Sequence, residues 1–239
     1  MRFALILALL FDSILPASVR ALQEQPQYQM TTYYLLLLAK GSKWTKEQFP
    51  QKQQLVAAHV KRLVDLGAQG KVVIAGPLAD DTGLTGIVVV NASSPEEARK
   101  IEEDDPLVVA GFFSVGAVIK WWAAKGIMKV PPKAPASPAD FDTYYFAIGR
   151  HGPKWTPEAT PEVNKIQAGH MENINRMAKM GKLVIAGPFM SGGEYAGCFV
   201  FKVANADEAL KLLEVDPAIS SGRLVVDVHP WLVAKGSLP

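Results

Sequence analysis

Gly70-Lys71-Val72-Val73-Ile74-Ala75-Gly76-Pro77 returns as Gly181-Lys182-Leu183-Val184-Ile185-Ala186-Gly187-Pro188, a constant 111 residues later. Upstream of each segment stands one histidine at the same spacing, His59 and His170. A period of this length decides the architecture before any single element does, because it makes the chain two copies of one unit. Thr143-Tyr144-Tyr145 repeats Thr32-Tyr33-Tyr34, Lys154-Trp155-Thr156 repeats Lys43-Trp44-Thr45, and Asp216-Pro217 repeats Asp105-Pro106. The shift holds through Gly111 and Gly222. One residue is then lost before the last strand, so that Trp231 pairs with Trp121.

Within the first copy, Thr32 to Ala39 is an apolar run that reads as a strand. Leu55, Ala58, Leu63 and Leu66 have helical spacing over Gln51 to Ala68, and Gly70 stops that helix. Lys71 to Leu78 and Gly86 to Asn91 read as strands separated by a turn-rich loop. Ser93 and Ser94 can cap a helix whose first turn is Pro95-Glu96-Glu97, and Asp105-Pro106 ends it. A fourth strand follows, Phe112 to Trp122. The order is β-α-β-β-α-β, a ferredoxin-like unit.

The units occupy residues 31–125 and 142–236, joined over 126–141 by a segment with Pro131, Pro132, Pro135 and Pro138 that reads as an extended, semi-rigid connector. Leu35 to Leu38, Val72 to Ile74 and Ile87 to Val90 are apolar at consecutive positions, the mark of strands buried on both faces. Two helices cover one face of a four-stranded sheet, and the other face needs a partner. The equivalent face of the second unit supplies it, because an exposed face of this kind is untenable in water. The expected fold is therefore α+β: two tandem βαββαβ repeats packed sheet to sheet as an intrachain dimeric α/β barrel. A single unit should dimerise or aggregate, and assembly of the whole chain into a further homo-oligomer is left open.

A formal net charge of +2 with no basic block argues against a nucleic-acid or anionic-membrane surface. Cys198 is the one cysteine, which precludes an intrachain disulfide and reads as a small buried residue of a strand. Met1-Arg2, the apolar run Phe3 to Phe11 and the small residues around Val19-Arg20-Ala21 read as a secretory signal peptide over residues 1–21. That reading places the mature protein in the periplasm or outside the cell.

Chemistry is sought at His59 and His170, both on the apolar stripes of their helices. Each is either a packed core histidine or a site residue bordering a hollow shared by the two units. A partly buried imidazole becomes an acid/base group when a carboxylate fixes its tautomer. Asp105 and Asp216 are the candidates, kept in both units while neighbours such as Glu102 and Leu213 differ. Trp44 and Trp155 either wall a pocket or close the core edge. Gly76-Pro77 and Gly187-Pro188 either bring backbone close to a ligand or end a strand. His151 and His229 have no counterparts and read as surface residues. Phosphate loops, nucleophile elbows and metal-ligand spacings are not found, so no cofactor and no metal are expected.

His59, Gly70 to Pro77, Gly86, Glu97-Ala98, Asp105-Pro106 and Gly111, with His170, Gly181 to Pro188, Gly197, Glu208-Ala209, Asp216-Pro217 and Gly222, form an ordered set found twice. This set resembles the YCII-related (YciI-like) family. The resemblance implies the dimeric α/β barrel and a cleft with a His-Asp active site, here His59 with Asp105 and His170 with Asp216. One branch of that family resembles dehydrochlorinases of chlorinated hydroxyquinones, in which a histidine is the acid/base. The fused units and the signal segment depart from the family pattern. The expectation is a cofactor-independent lyase or isomerase acting on a small, aromatic or cyclic molecule. The alternatives are a non-catalytic binding protein and a structural module.

Overall fold

The computed structural model describes residues 29–131 and 133–239, so the signal-peptide reading of residues 1–21 lies outside the described residues. The first half runs β1 (Met30–Lys40), α1 (Pro50–Ala68), β2 (Val72–Pro77), β3 (Leu84–Val90), α2 (Pro95–Glu103), α3 (Pro106–Val109) and β4 (Phe113–Ala124). The second runs β5 (Phe141–His151), α4 (Pro161–Lys179), β6 (Leu183–Pro188), β7 (Tyr195–Phe201), α5 (Ala206–Glu214), α6 (Pro217–Ser220) and β8 (Leu224–Ala234). The short helices α3 and α6 are additions to the expected order. Asp105 and Asp216 do not merely end a helix. Each is the N-cap of the next one, with proline at its first position.

Each half forms an antiparallel four-stranded sheet, β2-β3-β1-β4 and β6-β7-β5-β8. Strands β1 and β3 are buried on both faces, as their unbroken apolar runs require. Leu35, Leu37, Ile87 and Val89 point into the core between the sheets, together with Phe146, Ile148, Val200 and Val233 of the second half. Leu36, Leu38, Val88 and Val90 point to the helix side.

The sheets also join at their edges. Backbone N–H of Ala79, just beyond β2, donates to Pro230 O of β8 at 2.9 Å, and Met190 N–H, beyond β6, donates to Lys120 O of β4 at 2.7 Å. A Cβ on Gly76 would collide with the Leu232 carbonyl oxygen, and one on Gly187 with that of Trp122. The repeated Gly-Pro pair is thus where the last strand of the other half crosses, a close approach that only glycine permits.

The one-residue difference between the copies is a β-bulge. Leu36 pairs with Val118 and Leu38 with Val115, so two residues of β4 face Leu37, whereas β5 and β8 pair without a break. The extra residue thus lies inside β4 rather than ahead of it, and the bulge absorbs it without flipping the strand's inward face.

The start of the proline-rich connector is packed: Met128 is buried in the core, and Lys129 N–H donates to Ser237 O at 3.0 Å. One further expectation is revised. His229 is no surface residue. It is buried in β8, and its Nδ1 lies 2.7 Å from Asp80 Oδ2 of the first half. Cys198 is buried between the sheets, and that burial raises its thiol well above the ordinary range.

Candidate functional site

Helices α1 and α4 do not seal against their sheets. The strand residues beneath them are small at one end, Ala75, Gly76 and Gly86 in the first half and Ala186, Gly187 and Gly197 in the second. The missing side chains leave a cavity of about 280 Å³ under α1 and one of about 390 Å³ under α4. His59 lines the first and His170 the second. This corrects the expected shared hollow. The space between the sheets holds core side chains, and each imidazole borders its own pocket on the helix side of its own sheet.

Each pocket nonetheless needs the opposite half. Phe141 and Ala234 of the second half border the first pocket, and Met30 and Trp122 of the first half border the second. The connector adds Val130, Pro131 and Pro135 to the first pocket.

The imidazoles are held in the same way. His59 Nδ1 lies 2.8 Å from Asp105 Oδ2, while Asp105 Oδ1 accepts the Leu107 N–H at 2.9 Å. His170 Nδ1 lies 2.9 Å from both Asp216 oxygens, and Asp216 Oδ1 also accepts the Ala218 N–H at 2.9 Å. The helix cap therefore aims the carboxylate, and the carboxylate aims the ring. Both aspartates are fully buried, and each histidine side chain is 15% exposed. A carboxylate accepts, so Nδ1 carries the hydrogen and the neutral ring keeps its lone pair on Nε2. Burial alone would raise the Asp216 carboxyl. The hydrogen bonds from His170, Asn173 and the Ala218 N–H together outweigh it and hold the group below its ordinary range.

The surroundings of the two pairs differ. In the first half Arg62 Nη1 stands 3.9 Å from Asp105 Oδ2, and its Nη2 donates to the Ile101 carbonyl. Glu102 is fully buried, with neither carboxylate oxygen hydrogen-bonded among the described residues. Burial first, then the Asp105 charge, pushes the Glu102 carboxyl up to about 7, against a smaller opposing pull from His59 and Arg62. The second half has Asn173 and Leu213 at these places. Asn173 Nδ2 donates to Asp216 Oδ2 at 3.0 Å, and Arg176 Nη2 holds Asn173 Oδ1 at 2.7 Å.

Of the other residues singled out in the sequence, Gly76 and Pro77 line the first pocket, and Trp155, Gly187 and Pro188 the second. Trp44 does not line the first pocket. It stacks on Phe113 with ring centroids 5.8 Å apart, and its loop is tied down by Lys52 Nζ, which donates to Thr45 O at 2.6 Å and Glu47 O at 2.9 Å. His151, read as a surface residue, lines the second pocket and stacks on Trp155 at 3.9 Å. Glu102 and Arg223 escape a reading of the sequence for chemistry. Their one signal there is a mismatch between aligned copies, Glu102 against Leu213 and Arg223 against Phe112.

An uncharacterized protein of Bacillus subtilis (strain 168), YjpA, is 37% identical over 92 residues, 38% of this chain and 95% of that protein. Among solved structures, a chlorite dismutase mutant from Candidatus Nitrospira defluvii superposes with a TM-score of 0.57 at 11% identity, over 91% of this chain and 95% of that one. A heme-binding protein from Thermus thermophilus superposes with a TM-score of 0.51 at 10% identity, over 85% of this chain and 93% of that one. At such identities these likenesses establish the fold, the two-layer α/β barrel. The model of the YCII-related domain matches twice, at residues 33–122 and 148–232, and the chain therefore belongs to the YCII-related domain family, carrying two copies of its domain.

Proposed function

We propose that the protein is an acid/base enzyme acting on a small, mainly apolar, ring-containing molecule. The reading is carried by one arrangement: an imidazole locked by a buried carboxylate through Nδ1, lining an apolar pocket, in both halves. Nε2 of His59 or His170 takes a proton from a ring carbon. The electron pair left behind either expels a leaving group, as in elimination, or moves so that the same proton returns at another carbon, as in isomerisation. Asp105 or Asp216 stabilises the imidazolium formed in between.

The heme-binding relative raises the question of a porphyrin. A histidine held through Nδ1 is a sound axial ligand. The pockets are the obstacle. At about 280 and 390 Å³ they lie at the low end of small-molecule sites, and no step is routed through a porphyrin.

The test uses the full chain. Chloride release from 3-chlorocyclohexanone and hydrogen–deuterium exchange at the ring carbons of 2-methylcyclohexanone are followed in D₂O. The expected result is turnover that falls roughly a hundredfold or more in the His59→Ala, His170→Ala double variant. Binding of both probes unchanged by the double substitution, with neither reaction faster than free imidazole gives, overturns the catalytic reading in favour of a binding protein.

A further inference from the structure

The two pockets are built alike and charged differently. Apart from His59, the first is bordered by no ionisable side chain of the described residues, and Val56, Val60, Leu63 and Val64 make its helix wall. Lys40, the counterpart of His151, is turned to Asp81 at 3.0 Å. Phe112, the counterpart of Arg223, is buried beside Phe49.

The second pocket has Gln167 where the first has Val56, His151 where the first half has Lys40, and Arg223 where it has Phe112. Arg223 is fixed in place. Its Nη1 donates to Thr156 Oγ1 at 3.1 Å and to Lys154 O at 3.4 Å, and its Nη2 to Thr156 O at 2.7 Å. Those acceptors are neutral, and no carboxylate of the described residues lies within ion-pair distance of it. Nε and the second N–H of Nη2 have no partner among the described residues. A guanidinium that is anchored yet not neutralised, at the lip of an apolar cavity, is arranged to receive an anion. Beside it the stacked pair His151–Trp155, 19° from parallel, offers a flat wall for a ring.

We propose that the second pocket selects a small aromatic carboxylate, with Arg223 meeting the carboxylate and Trp155 the ring, while the first pocket takes only uncharged molecules. The proposal deepens the acid/base reading by naming the substrate class of one site, and its test is a binding test that needs no turnover.

The probes are benzoate and its uncharged analogue benzamide, titrated into the full chain while the side-chain resonances of His59, His170 and Trp155 are followed by NMR. Benzoate should shift His170 and Trp155 saturably and leave His59 in place. Benzamide should bind the second pocket roughly tenfold or more weakly, the worth of a charge-assisted hydrogen bond. Arg223→Gln should weaken benzoate by a similar factor and leave benzamide unchanged, and Arg223→Lys should restore part of the loss. Added salt should weaken benzoate alone. Benzoate that binds Arg223→Gln as tightly as the native chain, that moves His59 as much as His170, or that does not bind at all overturns the proposal. If benzoate behaves as expected while no proton transfer is found, the acid/base reading fails and the anion preference stands.

Discussion

The indole N–H of Trp231 donates to the carbonyl of Gly76 at 3.1 Å, tying the last strand of the second half to the first. Its counterpart Trp121, equally buried, leaves its Nε1 without a partner among the described residues. Replacing either with phenylalanine removes similar apolar area, but only Trp231→Phe also breaks a hydrogen bond across the joint. Trp231→Phe should therefore cost about 1 kcal/mol more than Trp121→Phe in urea unfolding. Equal losses would show that the hydrogen bond contributes nothing to the joint.

Gly76→Ala and Gly187→Ala put a methyl against backbone, not against a side chain that can swing away. Each should destabilise by about 1–3 kcal/mol or more. Gly70→Ala meets no neighbouring atom within 4 Å and is strained only through its φ of +71°. Thermal unfolding of the three variants separates the two causes.

Glu102 binds protons more readily in the folded chain than in the unfolded one, because its carboxyl is raised from 4.5 to about 7. The sign follows directly: its contribution to stability falls as pH rises from about 4.5 to 7 and is flat above. Glu102→Leu, which installs the second half's residue, should leave the protein more stable at pH 8, on the order of 2–3 kcal/mol, and less so at pH 5. Denaturation midpoints across pH 5–8 test it, and a gain that is the same at both ends would refute the titration.

Asp216 has the opposite sign. Its carboxyl is held below 3.8, so the stability it adds is complete above that value and is lost as pH falls through the folded pKa. Asp216→Asn should cost about 1–3 kcal/mol at pH 7, and the deficit should shrink below pH 4. The same change should lower turnover at the second site, since an amide in place of the carboxylate no longer stabilises the imidazolium.

Residues 29–125 expressed alone would leave Leu35, Leu37, Ile87 and Val89 without the opposing sheet. Size-exclusion chromatography with light scattering should find dimers or aggregates. A stable monomer would contradict the account of the core.

The fold is legible in the sequence because its signals are periodic. Consecutive apolar residues in β1 and β3 announce two buried faces, and a constant shift announces the second unit. Asp105 and Asp216 are legible as kept residues, though their capping role is not, since Asp-Pro serves equally to stop one helix and to start another. The position of the pockets is not legible: small residues at 75, 76 and 86 leave a void only once a helix lies above them. Glu102 and Arg223 are visible as departures between copies, but a single difference reads as drift until its environment is known. His229 lacks a histidine counterpart and so reads as a surface residue, whereas the residue it does match, Ile119, is buried and foretells an inward position.

The covalent joining of the halves has one more consequence. Separate, identical subunits would have to carry every replacement in both members of the pair. A tandem gene frees them, and an arginine lines the second pocket where the first half has phenylalanine. Two halves in one chain let one scaffold carry two pockets of different chemistry.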